Sequence, residues 1–154
     1  GAGTVILTSN KNYSSGVKVA GGSVSNDANH ISGPSRTGEE LNIAINKAMS
    51  IAGVSADDIG FISAHGTATV FNDEMEAKAI NLAGLQFAPV NISIQSLKDN
   101  TVIPTPGFEN MGVTQPVNVC TTVIQTPLQH CLKTASGFGG CNAALVFSKQ
   151  QNQQ

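Results

Sequence analysis

Phe61-Ile62-Ser63-Ala64-His65-Gly66-Thr67-Ala68-Thr69-Val70-Phe71-Asn72-Asp73 opens on two apolar residues and passes through small ones to a histidine, a glycine and two threonines. Phe61 and Ile62 read as a buried strand. Asn72 is a good helix N-cap ahead of an apolar-periodic run. A histidine at the carboxyl end of a strand, followed by Gly and two hydroxyls, stands where open α/β sheets place their ligand crevices. Small neighbours let a substrate approach the imidazole, and the threonines can hydrogen-bond a polar chain. The alternative is a structural histidine in a strand-to-helix turn.

Upstream, the strand read over residues 59–64 follows the strongest helix of the chain, residues 38–52. Leu41, Ile45, Ala48 and Ala52 form one apolar stripe. Thr37 with Glu40 makes a capping box, and Gly53 stops the helix. Residues 4–8 and 17–24 read as strands, the second with a bulge or close backbone approach at Gly21-Gly22. Between them and the helix lies a polar loop, residues 26–34, with Asp27, His30 and Ser32 as groups that can meet a ligand; a plain Asx-turn with a surface histidine is the alternative.

Downstream, a helix over 73–82 buries Met75, Ala79 and Leu82 and stops at Gly84. Asp73, Glu74 and Glu76 crowd its first turn, which suits the positive end of the macrodipole better than an acid/base pair. Residues 87–91 read as a short strand, 92–98 as strand or helix, 103–107 as a turn and 108–127 as mostly irregular. Apolar runs at 132–136 and 143–148 bracket Gly137-Phe138-Gly139-Gly140, a hairpin with a glycine-rich turn. That turn lacks G-x-G-x-x-G spacing and leads into a strand, so it is not a nucleotide cradle. It presents Phe138, and its backbone N–H groups can face an oxyanion.

The 154 residues, 40% hydrophobic, suit one domain or half of a larger one. Net charge is -2, with no Lys/Arg run to suggest nucleic acid or anionic lipid. Only 12% of residues are charged, against roughly a quarter in ordinary globular domains, which hints at a large interface. No signal peptide or membrane span is indicated. Cys120, Cys131 and Cys141 are odd in number and make no C-x-x-C pair, so a reducing cytoplasm is the default. His30, His65 and His130 are scattered without ligand spacing, so no metal is expected, and no cofactor either.

Four stretches, in order, resemble the C-terminal half of the β-ketoacyl-acyl carrier protein synthases, members of the thiolase-like superfamily. Asp27-Ala28-Asn29-His30-Ile31-Ser32-Gly33-Pro34 looks like the family's D-A-x-H-[IM]-T-x-P loop. Ala64 to Thr69, with Asn72-Asp73 and Glu76, resembles A-H-G-T-x-T-x-x-x-D-x-x-E. Ile103-Pro104-Thr105 resembles I-P-x-T. Gly137-Phe138-Gly139-Gly140-Cys141-Asn142-Ala143, running into Leu145-Val146-Phe147, resembles G-F-G-G-x-N-x-x-[LI]-[VI]-F.

The resemblance implies a thiolase-like α/β half, a mixed, mostly five-stranded sheet with helices packed on it, over residues 1–149, with 150–154 as a polar tail. It implies decarboxylative condensation of a malonyl thioester with an acyl chain. His65 would be the first of the family's two active-site histidines, donating N–H to the enolate oxygen. Thr67 and Thr69 match positions that hydrogen-bond the pantetheine arm. Phe138 matches the gating phenylalanine, its N–H part of the oxyanion hole, and Ser32 stands where a pocket threonine is usual. The implied partners are an acyl carrier protein with its phosphopantetheine arm, the N-terminal half of the synthase, and a second subunit in a homodimer.

Two departures matter. The nucleophilic cysteine belongs to the family's N-terminal half, and none of the three cysteines here matches it. Between Asn91 and Ile92 the family has a lysine, a glycine-histidine pair and a small-residue helix start. Here Asn91 joins directly to what resembles the later part of that helix, so the second histidine and the lysine are absent, and Lys98 is no substitute. The chain alone is therefore expected to be inactive. A non-catalytic subunit shaping a partner's acyl tunnel is the alternative reading, and a structural fragment that binds nothing a third.

Overall fold

A computed structural model describes residues 6–10, 12, 16–28, 31–91 and 93–150. The elements in order are β1 (Val17–Asn26), α1 (Glu39–Ala52), a 3₁₀ turn (Ala56–Asp58), β2 (Ile59–Ser63), α2 (Val70–Leu82), β3 (Val90–Asn91), α3 (Gln95–Asp99), β4 (Thr101–Val102), β5 (Ile124–Gln125), β6 (His130–Gly137) and β7 (Cys141–Lys149). Five strands form one mixed sheet in the order β1-β7-β6-β2-β3, and β4 pairs with β5 separately. The expected five-stranded mixed sheet is present.

Strand alternation divides the core between the two faces of this sheet. On one face, Leu41, Ala44, Ile45 and Ala48 of α1 and Met75, Ala79 and Ile80 of α2 pack against Ile62, Leu132, Ala144 and Val146. On the other, Phe61 and Cys131 meet Leu97, Val102, Cys120 and Leu128. Neighbours in sequence, Phe61 and Ile62, thus serve different clusters. The α1 stripe is buried as read, with Ala52 at its margin.

Glycines set how closely these layers approach. The register of β1 on β7 shifts between Val19 and Gly21, the bulge foreseen at the Gly pair. A Cβ on Gly21 would lie 2.3 Å from the Ala48 carbonyl oxygen, so α1 lies directly on that strand. Gly53, at φ 68°, ends α1.

Several local expectations change. The capping box at Thr37 and Glu40 does not form. Gly38, at φ 77°, holds the N-cap position instead, and Thr37 Oγ1 accepts the Glu39 N–H at 3.3 Å. The reason is tertiary: a Cβ on Gly38 would come within 2.7 Å of Met75 O and Ala79 N on α2. α2 begins at Val70, with Thr69 rather than Asn72 at its N-cap; the Asp73 N–H already donates to Thr69 O. Leu82 on α2 is 54% exposed instead of buried. The strand expected over 87–91 shrinks to Val90–Asn91. Residues 6–8 are not a strand, and Thr4 and Val5 lie outside the described residues. Of the ambiguous run 92–98, residues 95–98 are helical, within α3, and Ile92 lies outside the described residues.

Candidate functional site

Strand directions bring the singled-out stretches together. β2 runs parallel to both β3 and β6, and β7 is antiparallel to β6 and β1. The carboxyl ends of β1, β6, β2 and β3 therefore lie at one end of the sheet. The loop after Asn26, the turn before Cys141, the His65 stretch and the junction after Asn91 all emerge there.

The loop after β1 and the glycine turn are laced together. Asn26 Nδ2 donates to Gly139 O at 2.8 Å, the Asp27 N–H to Gly140 O at 2.9 Å, and the Gly139 N–H to Ile31 O at 2.8 Å. Asp27 folds back to accept the Ser35 N–H at 2.7 Å. A Cβ on Gly140, whose φ is 72°, would sit 2.0 Å from Asp27 Oδ1, so a side chain there would displace the Asp27 carboxylate. This arrangement places Ser32 and Phe138 on adjoining segments, both exposed, Phe138 at 83%. The Gly139 N–H, donated to Ile31, is not available to an oxyanion. His30 lies outside the described residues.

The His65 stretch is held from below by α2. Glu76, 5% exposed, accepts the His65 N–H at 2.9 Å and the Gly66 N–H at 3.0 Å, and also the Thr134 hydroxyl of β6. Asp73 accepts the Thr67 N–H at 3.2 Å, and the Thr67 and Thr69 hydroxyls are hydrogen-bonded at 2.8 Å. The carboxylates expected to crowd a first helical turn thus have other employment. With α2 starting at Val70, only Asp73 is in the first turn. Glu74 on the surface pairs with Lys78 at 3.2 Å and accepts the Thr114 N–H at 2.8 Å. Glu76 is the residue that sequence reasoning misplaced; its distance from His65 in the quoted signature was the available signal. Lys133 went unnoticed. Its Nζ donates to Ala64 O at 2.8 Å. Burial pushes this ammonium below its ordinary value, and Glu76 offsets part of that.

His65 itself is half-buried, and nothing brings Phe138 or Ser32 into hydrogen-bond contact with it among the described residues. A cavity of about 450 Å³ opens beside the stretch, lined by Gly66, Ala68, Asp73, Glu76, Val90 and the segment 105–113. At the junction after β3, Asn91 Nδ2 donates to Ser96 Oγ at 2.8 Å and Asn91 Oδ1 accepts the Ser93 N–H at 3.1 Å. An Asx-type turn thus joins β3 to α3. Lys98 is exposed in the last turn of α3. No group of three or more metal-ligating side chains occurs among the described residues, and no described helix is long and apolar enough to cross a membrane.

Comparison with known proteins matches this geometry. Residues 17–105 fit the model of the β-ketoacyl synthase C-terminal domain. The 3-oxoacyl-[acyl-carrier-protein] synthase 2 of Vibrio cholerae is 30% identical over 86% of this chain and 38% of its own length. That of Mycobacterium leprae is 29% identical over 84% of the chain and 36% of its own. The chain thus spans well under half of these relatives. The Vibrio alignment runs over 159 positions, more than the 154 residues here, so the relative carries residues without a counterpart. Among solved structures, the ketosynthase ApeO in complex with its chain length factor ApeC, from Xenorhabdus doucetiae, superposes with a TM-score of 0.79 at 23% identity, over 89% of this chain and 40% of that one. The ishigamide ketosynthase/chain length factor gives 0.77 at 25% identity, over 86% and 38%. The family model covers more than half of the chain, and the sheet and motif positions agree with it: the chain belongs to the β-ketoacyl synthase family, through that family's C-terminal domain.

Proposed function

We propose that this chain is the His65-bearing part of a β-ketoacyl-acyl carrier protein synthase, an acyltransferase of fatty-acid or polyketide-type synthesis. The observation that carries the reading is the gathering of His65, the Thr67–Thr69 pair and the Phe138 turn at one end of a ketosynthase-like sheet. In the condensation, a malonyl thioester loses CO₂ and negative charge builds on the thioester oxygen. An imidazole N–H aimed at that oxygen stabilises the charge where it develops. Glu76 accepts the N–H groups of the peptides on either side of the imidazole, so it needs little reorganisation when the charge appears. Thr67 and Thr69 hydrogen-bond the pantetheine arm, and Phe138 and Ser32 line the acyl entrance.

The nucleophilic cysteine and second histidine come from outside this chain. The N-terminal half of a synthase, a second subunit and an acyl carrier protein are the partners. Exposed apolar residues support such partners: Ile43 and Ile51 on α1, each 57% exposed, and Val24 on the sheet at 77%. The second reading is a non-catalytic subunit that shapes a partner's acyl tunnel. It is favoured by the direct Asn91 turn into α3, which leaves no room in sequence for a second histidine.

Calorimetric titration with pantetheine tests the shared core of both readings. Saturable binding that is lost in the Thr67→Val/Thr69→Val variant supports it, and absence of binding to the wild-type chain rejects it. The isolated chain should not condense malonyl thioesters; if it does so unaided, the assignment of the missing groups to a partner is wrong.

A further inference from the structure

We propose that Lys133 is a specificity-determining residue of the His65 site, its ammonium binding the free carboxylate of a carboxyacyl thioester. This rests on the preceding reading that the site takes a pantetheine thioester. Lys133 stands in register with Ser63, the last residue of β2. Alternation puts it on the sheet face of Cys131 and Phe61, opposite the face on which Thr134 meets Glu76. Its side chain reaches the end of the sheet, where Nζ donates to Ala64 O, one residue before His65.

An ammonium carries three donors. Ala64 takes one, and the Lys133 ammonium makes no other hydrogen bond or ion pair among the described residues. Glu76 is near but not ion-paired with it, and its oxygens are engaged by His65, Gly66 and Thr134. Lys133 is thus a half-buried cation whose one hydrogen-bond acceptor is a neutral carbonyl. Such a charge gains most from an anion arriving in the same poorly hydrated space. A ligand whose thioester oxygen meets His65 brings its acyl end into this neighbourhood. A carboxylate there accepts from Lys133; a methyl group does not.

The test uses the 154-residue chain and amide-linked analogues of malonyl- and acetyl-pantetheine, which lack the phosphate and cannot transfer their acyl groups. Calorimetry should give a preference of about tenfold for the malonyl analogue in the wild type, as one charge-assisted hydrogen bond supplies. Lys133→Met should abolish that preference while leaving acetyl affinity within about twofold, and Lys133→Arg should restore part of it. A wild-type chain that binds both analogues equally overturns the proposal whether or not the variants fold. So does a Lys133→Met variant that keeps the preference, or one that loses both affinities equally, since the lysine would then only position the loop. A wild-type chain that binds neither analogue rejects the pantetheine reading itself, and this proposal with it.

Discussion

The Glu76 carboxylate accepts the backbone N–H of His65 at 2.9 Å, so the helix that follows the histidine also holds the histidine's own peptide. The same carboxylate takes the Gly66 N–H and the Thr134 hydroxyl, and it is almost wholly buried. Three donors around one buried anion make its exchange costly, because an amide cannot accept all three. Glu76→Gln should lower stability by about 2–4 kcal/mol in denaturant unfolding. It should also speed amide exchange at His65 and Gly66. A variant as stable as the wild type would mean that water replaces the carboxylate at no cost.

Gly21 lies in β1 beneath α1 and Gly53 ends α1, and the two should respond differently to alanine. At Gly21 the new methyl would meet Ala48 O at 2.3 Å and Ala52 N at 2.7 Å, both backbone atoms of the helix. Gly21→Ala should therefore cost about 3 kcal/mol through displacement of α1 from the sheet. At Gly53 nothing lies within 4 Å, and only the positive φ opposes a side chain. Gly53→Ala should cost about 1 kcal/mol. Chemical denaturation of the two variants reads the difference, and equal losses would contradict the close approach at Gly21.

Glu74 ties the segment at Thr114, which follows the cavity-lining Val113, to α2. The Thr114 hydroxyl, its N–H and Lys78 together hold the Glu74 carboxyl below its ordinary value of 4.5. A depressed folded-state value means that the anchor is fully present above that ordinary value and is lost as pH falls through the lower one. Amide exchange at Thr114 should accelerate on acidification across that window in the wild type. In Glu74→Gln it should be fast and nearly independent of pH apart from intrinsic exchange. The same pH response in both proteins would sever the link between Glu74 and the segment.

The three thiols should separate cleanly in labelling. Cys141 is exposed at the start of β7, whereas Cys120 and Cys131 are buried. Burial pushes the Cys131 thiol up to about 12, so its thiolate is scarce at neutral pH. One equivalent of a maleimide or disulfide reagent should react with the native chain at pH 7.5, and two more only on unfolding. Fast native reaction at Cys131 would show that the cluster around Phe61 opens readily.

Much of the fold was legible in the residues. The Leu41, Ile45 and Ala48 stripe, the Gly21-Gly22 bulge, the stop at Gly53 and the hairpin around Gly137–Gly140 depend on neighbours a few positions away, and local periodicity and backbone freedom report those directly. The short β3, the exposed Leu82 and the Gly38 cap were not legible in the same way. Each depends on what another element places beside it. Gly38 replaces a competent capping box because α2 leaves no space for a side chain.

The sequence by itself determined the alternation of strands and helices, the low charge, and the motifs in which His65, Thr67, Thr69 and Phe138 stand. Only the tertiary structure decided that these motifs share one end of a sheet, since that follows from β6 lying between β2 and β7. It alone decided the work of Glu76 and Lys133. Their partners Thr134 and Ala64 are 58 and 69 positions away in sequence. No local pattern encodes a hydrogen bond across such a separation; strand order and register bring its two ends within reach.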